Sequence, residues 1–128
     1  MSFEEAEILR ERAEAFLRNV EHLIKEKEWD LAVFCLEQYC QLILKYKLLA
    51  KSGSYPRTHS LRELIKRLKL YNASIGVLVE DEDKLLYVTK LEDAYIVSRY
   101  LPRRYEEKEV LPLYRFVKEV FKPLVSRV

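Results

Sequence analysis

From Leu31 to Lys51 the chain reads LAVFCLEQYCQLILKYKLLAK. Apolar side chains fall on nearly every side of a helix drawn over this stretch: Leu31, Ala32, Val33, Phe34, Cys35, Leu36, Tyr39, Cys40, Leu42, Ile43, Leu44, Tyr46, Leu48 and Leu49. A helix that is apolar all round is packed on several sides, so this one is read as the centre of the fold. Asp30 is the expected N-cap and Gly53 the expected stop. Gln38 and Gln41 lie within the run. A buried amide needs a hydrogen-bond partner, either in the core or across a subunit interface; a boundary position touching water is the alternative.

The flanking segments fit around that helix. Phe3 to Lys27 carries an apolar stripe at Ala6, Leu9, Ala13, Phe16, Leu17, Val20, Leu23 and Ile24, with a charged opposite face and His22 at its boundary. Pro56 marks a loop, and Ser60 with Glu63 has capping-box spacing ahead of a short helix with Leu61, Leu64, Ile65 and Leu68 inward. His59, just before that cap, is expected to fix the loop through a hydrogen bond. Leu70 to Val79 reads as a loop with a helical turn. The acidic run Glu80 to Asp83 suits the positive end of a helix dipole and opens a helix of about Asp81 to Tyr100. Its inward residues are expected to be Leu85, Leu86, Val88, Leu91, Ala94, Tyr95 and Ile96. The last helix covers about Glu106 to Arg127, with Val110, Tyr114, Val117, Phe121 and Leu124 inward. Pro112 allows a true start near Leu111, and Pro123 kinks or ends it. The expected architecture is all-α: one domain over residues 1–128, an antiparallel bundle of four main helices plus one short helix.

Composition narrows the function classes. The 23 basic and 21 acidic residues leave a net charge of +2, so any nucleic-acid contact has to come from a local patch. No apolar run reaches the roughly 18 residues needed to span a bilayer. Residues 1–12 carry four Glu and no apolar core, which argues against a signal peptide. Cys35 and Cys40 are five apart, about 140° around a helix, so they cannot bridge; two free thiols fit a reducing, cytoplasmic setting. No metal-ligand spacing, Gly-rich phosphate loop or nucleophile elbow occurs, so neither a metal nor a cofactor is expected. Charged residues make up 34% while Asn, Gln, Cys and Met are rare, a composition found in proteins from hot environments.

The strongest chemical signal lies between Asp93 and Tyr105. Arg99, Arg103 and Arg104 are interleaved with Tyr95, Tyr100 and Tyr105 at a helix end and the following turn. Arginine binds phosphate bidentately and aromatic faces stack on bases, so Arg99, Tyr100, Arg103, Arg104 and Tyr95 form a candidate nucleotide or RNA phosphate site. The same residues also suit a purely structural role, arginines favouring a helix C-terminus and tyrosines lining a bundle core.

Three features together resemble the HEPN domain family of prokaryotes. They are the central apolar helix with Gln38 and Gln41, the segment His59-Ser60-Leu61 (similar to a His-Asp-Leu helix start), and Asp93-Ala94-Tyr95-Ile96-Val97-Ser98-Arg99-Tyr100-Leu101-Pro102 (similar to an Ala-Arg-Tyr-Pro signature). The likeness runs from about residue 5 to 125. It implies a helical bundle that usually forms a homodimer and often pairs with a small nucleotidyltransferase in two-component toxin–antitoxin systems. Catalytic members are metal-independent endoribonucleases with an Arg-x(4–6)-His motif in the dimer cleft. There His moves protons during attack by the RNA 2′-hydroxyl, and Arg stabilises charge on the phosphate.

Arg99 matches the arginine of that motif, but positions 104 to 106 are Arg104, Tyr105 and Glu106, and no histidine follows His59. Losing general acid–base catalysis removes on the order of 10²–10⁴ in rate. The first reading is therefore a nucleotide- or RNA-associated partner of a nucleotidyltransferase without full RNase activity. The alternatives are an endoribonuclease toxin using Arg99 with Tyr105, Glu106 or His59, and a purely structural dimerisation module.

Overall fold

The long apolar run is the hub of the bundle. The computed structural model describes residues 3–128. Helix α1 (Phe3–Lys25) passes through a tight turn into helix α2 (Trp29–Ser52). Lys27 adopts a left-handed φ of +57°, and the Glu28 N–H bonds back to the Leu23 carbonyl at 2.9 Å. So short a turn lays α1 antiparallel along α2. α2 ends at Gly53, whose φ of +85° lets its N–H reach the Leu49 carbonyl at 3.0 Å. A β-carbon is strained in that conformation.

α2 begins before the expected cap. Asp30 lies inside its first turn and Glu28 takes the cap position without a side-chain bond. The Asp30 carboxylate instead accepts the Tyr105 backbone N–H at 2.7 Å. That N–H lies in a loop with no helical acceptor of its own, so the distant partner takes precedence over the local one.

Helix α3 (Leu61–Leu68) starts at Ser60, whose hydroxyl accepts the Glu63 N–H at 3.2 Å. A 3₁₀ turn (Ala73–Gly76) and the one-turn helix α4 (Val77–Glu80) fill the expected loop. Helix α5 (Glu82–Tyr100) opens at Asp81, whose carboxylate accepts the Lys84 N–H at 3.0 Å. Val88, Leu91 and Ala94 are buried as expected, but Leu86 and Ile96 are 60% and 43% exposed. At about 100° per residue both lie well round the helix from the buried line.

The C-terminal segment departs most from expectation. Helix α6 (Glu107–Phe116) starts ahead of Leu111 and carries Pro112 in its interior. It then widens into a π turn (Val117–Phe121) before α7 (Lys122–Ser126). Pro123 has no N–H, and its ring would strike the carbonyl four residues back. A wider turn just before it relieves both problems. Among the described residues there is no strand; α1, α3, α5 and α6 all pack on α2.

The packing of α2 encloses one charged group that hydrophobic patterning passes over. Glu37 is 0% exposed. Gln38 donates to one of its oxygens at 2.6 Å and Gln41 to the other at 2.8 Å, while Lys45 donates to Gln41 at 2.9 Å. Both amides thus find their partner within α2 rather than across the core or an interface. Burial pushes the Glu37 carboxyl up to about 6, although the two amide bonds and the charges of Arg99 and Lys45 act against it.

A raised pKa means that the folded state favours the neutral acid. The corresponding stability is fully present below pH 4.5 and lost as the pH rises through about 6, about 2 kcal/mol by linkage. Glu37→Gln therefore flattens the pH dependence of thermal unfolding between those limits relative to wild type. Identical pH slopes for the two proteins would mean that Glu37 does not titrate there.

Candidate functional site

Tyr95 and Arg99 are four residues apart on α5 and so share one face. The Arg99 guanidinium carbon lies 4.4 Å from the centre of the Tyr95 ring and 5.0 Å from that of Phe34 on α2. His59, in the loop before α3, stacks on Tyr95 with ring centres 4.0 Å apart and planes 8° from parallel. Two groups that close to one ring must occupy opposite faces. The imidazole centre is therefore no more than about 8 Å from the guanidinium carbon. The expected hydrogen bond from His59 gives way to this stack. The loop is held instead by the Thr58 hydroxyl, which accepts the Ser60 N–H at 3.0 Å.

The frame around this stack is polar and braced. Glu92 of α5 accepts from the Ser60 hydroxyl at 3.0 Å and from the Arg62 guanidinium at 2.8 Å. Burial works to raise the Glu92 carboxyl, but the Arg62 and Ser60 bonds outweigh it and hold it below the ordinary carboxylate value. This fastens the start of α3, and with it the His59 loop, to α5. A shallow groove of about 340 Å³ opens beside His59, between Ser60 and Ile96. Behind the aromatic layer lies Glu37, close enough for the Arg99 charge to act on its carboxyl. α2, α5 and the loop before α3 thus bring a buried acid, a guanidinium, two aromatic rings and an imidazole together.

The rest of the arginine–tyrosine cluster lies apart. The Arg103 guanidinium carbon sits 4.5 Å from the Tyr105 ring centre, and Arg103 pairs with Glu109. These two residues line a separate groove of about 790 Å³ between α5 and α6, where Lys90 and Lys108 are matched by Asp83 and Asp93. Tyr100 and Arg104 are exposed and line neither groove. Burial pushes the Tyr105 phenol above its ordinary value, away from use as a base. Glu106 is exposed at the N-cap of α6, where its backbone N–H donates to Glu109 at 3.0 Å. Among the described residues no three His, Cys, Asp or Glu side chains converge as a metal set.

Residues 6–128 match the family model of the HEPN domain. The chain belongs to the HEPN domain family. No curated protein and no solved structure matches it. Membership brings an RNA-associated, nuclease-like or toxin–antitoxin-related role, in a family whose domains often dimerise and pair with nucleotidyltransferases. No helix among the described residues is long and apolar enough to cross a membrane. In this HEPN chain the residues that patterning missed are Glu37 and Phe34. The signal for Glu37 was present: one acid beside Gln38 and Gln41 in an otherwise apolar run.

Tyr95 is the shared platform of this site. Tyr95→Ala releases both His59 and Arg99, whereas Tyr95→Phe keeps both contacts. The expected outcome for the alanine variant is loss of the ring-current shift on the His59 ring protons by NMR. Chemical denaturation should show about 1–2 kcal/mol of lost stability from one ring stack and one cation–π contact. Unchanged His59 resonances would show that the stack does not exist in solution.

Proposed function

We propose that this HEPN chain binds the phosphate of RNA or of a nucleotide through Arg99. It acts as the partner of a small nucleotidyltransferase in a two-component, toxin–antitoxin-like system, without full RNase activity. The observation that carries this reading is the contrast around Arg99. The guanidinium is pre-positioned by Tyr95 and Phe34, whereas Arg104, Tyr105 and Glu106 offer no imidazole where the family motif needs one. A cation held on aromatic faces loses less freedom on binding phosphate. The exposed Tyr100 and Arg104, at the end of α5 and in the turn after it, extend the surface along which a strand can lie.

The same face supports homodimerisation. Leu31, Ile96, Tyr100 and Leu101 are all exposed. They come from the start of α2 and the end of α5, regions joined through the Asp30–Tyr105 bond. Ile96 and Tyr100, four residues apart, share one face of α5, and exposed apolar side chains of this kind favour association. Light scattering at micromolar concentration should give twice the chain mass; a monomer would remove the dimer from the proposal.

A second reading rests on His59. Its stack on Tyr95 brings an imidazole to the neighbourhood of Arg99 by folding rather than by sequence spacing, which supports a metal-independent endoribonuclease with a relocated acid–base group. One experiment separates the readings. Structured RNA is incubated in EDTA with wild type, Arg99→Ala and His59→Ala, and both binding and cleavage are followed. The first reading expects binding that weakens about tenfold or more in Arg99→Ala, the loss of a charge-assisted phosphate contact, and no cleavage in any protein. Cleavage to 2′,3′-cyclic phosphate ends, lost in both variants, would establish the second. Binding indifferent to Arg99→Ala would overturn the phosphate site.

A further inference from the structure

The charges of this protein are segregated along the chain. Residues 57–71, which contain α3, carry Arg57, Arg62, Lys66, Arg67 and Lys69 against the single acid Glu63, an excess of four positive charges. Residues 3–14, the first half of α1, carry Glu4, Glu5, Glu7, Glu11 and Glu14 against Arg10 and Arg12, an excess of three negative charges. Each excess is larger than the +2 of the whole chain. On α3 the apolar positions Leu61, Leu64, Ile65 and Leu68 are buried, which turns the charged positions outward. Arg62 is taken by Glu92 of α5, and Lys69 by Glu80. Arg57, Lys66 and Arg67 have no ion pair among the described residues. Just past the helix, Leu70 is 79% and Tyr71 50% exposed. The last turn of α3 therefore presents two free cations, Lys66 and Arg67, beside two uncovered apolar side chains.

The start of α1 is the converse. Glu7 and Glu14 are both held by Arg10, at 2.6 and 2.9 Å. Glu4 and Glu11 have no ion pair among the described residues. Glu4, Ile8 and Glu11, at steps of four and three, share one face of α1, and all three are exposed. Phe3, at the same end, is 80% exposed. The free acids of α1 and the free cations of α3 are thus unmet within one copy, and each set lies beside uncovered apolar side chains. In such a contact the charges select the partner and fix the register, while the apolar side chains supply the burial. Tyr and Arg, here Tyr71 and Arg67, are residue types that carry binding energy at interfaces. Nucleic acid or an anionic membrane would satisfy α3 and leave the start of α1 unmet, whereas a second copy of the chain satisfies both.

We propose that the exposed face of α3 docks on the first half of α1 of a second copy. Lys66 and Arg67 meet Glu4 and Glu11 across the contact, and Leu70 and Tyr71 pack against Phe3 and Ile8. Exposed ion pairs are individually weak and are screened by salt, so ionic strength switches this contact on and off. It uses none of Leu31, Ile96, Tyr100 and Leu101 and makes no use of Arg99. It is therefore a second interface, which stands or falls apart from the dimer and the phosphate contact proposed above.

The test is sedimentation equilibrium of the full chain at high micromolar concentration. It compares about 10 mM salt, where charges act over roughly 30 Å, with about 1 M, where they act over roughly 3 Å. The expected low-salt mass is about twofold or more above the high-salt mass, whichever oligomer the high-salt mass represents. Two charge-reversed proteins follow, Lys66→Glu with Arg67→Glu, and Glu4→Lys with Glu11→Lys. All four residues are exposed, so reversal spares the core. Each variant alone should keep its high-salt mass at low salt. An equimolar mixture of the two, in which an intact α1 meets an intact α3, should restore the increase. A mass that does not respond to salt overturns the proposal, as does an increase that survives in either variant. A mixture that fails to associate overturns it too, by assigning α3 to a different acidic partner. RNA or phosphatidylserine vesicles bound through Lys66 and Arg67, with no salt-dependent mass in the protein alone, would give α3 that occupant instead.

Discussion

Helix α2 is buried along almost its whole circumference, and that constraint organises the rest of the molecule. Twelve of its 24 residues are buried. A helix apolar on every side cannot fold alone; it needs neighbours on each side before its burial becomes favourable. α1 covers one side through a turn too short to go elsewhere. α3 and α5 cover a second, and α6 a third. Each of these needs only one apolar stripe, which is why their exposed faces are free to carry charge.

That same enclosure makes the polar residues of α2 consequential. Glu37 cannot reach water, so it is satisfied by Gln38 and Gln41 from its own helix and by the field of Arg99 and Lys45. Removing one partner of such a group leaves a buried polar atom uncompensated. The arginine of the candidate site is therefore tied electrostatically to the middle of the fold as well as to the rings of Tyr95 and Phe34. Glu92 performs a parallel task at the surface, fixing the start of α3 so that His59 meets Tyr95 face to face. The site is built from three elements, each anchored for a reason unconnected with ligand binding.

The charged surface shows how little net charge says about partners. At +2 the chain is nearly neutral, yet acids and bases are not spread evenly. The groove between α5 and α6 is balanced, whereas a groove against α1 and α7 is strongly positive. The latter is lined by residues whose sequence positions span from Arg10 to Ser126, so no window of sequence reveals it.

Sequence alone determined the all-α class, the central place of the Leu31–Lys51 run, the helix ends at Gly53, Ser60, Asp81 and Tyr100, and the resemblance carried by Asp93 to Pro102. Those features rest on periodicity, capping chemistry and local backbone restriction, which act over a few residues and can be read from them. It did not determine that Asp30 would abandon its cap for Tyr105, that Leu86 and Ile96 would face outward, or that Pro123 would impose a π turn. Nor did it show that His59 would lie against Tyr95 while Arg103 and Tyr105 turned into another groove. Glu37 was visible as a letter and not as a buried acid. These outcomes belong to the tertiary structure, because burial, ring stacking and long-range hydrogen bonds depend on which surfaces meet. The handful of degrees by which helices rotate in packing decides that, and no local rule encodes it.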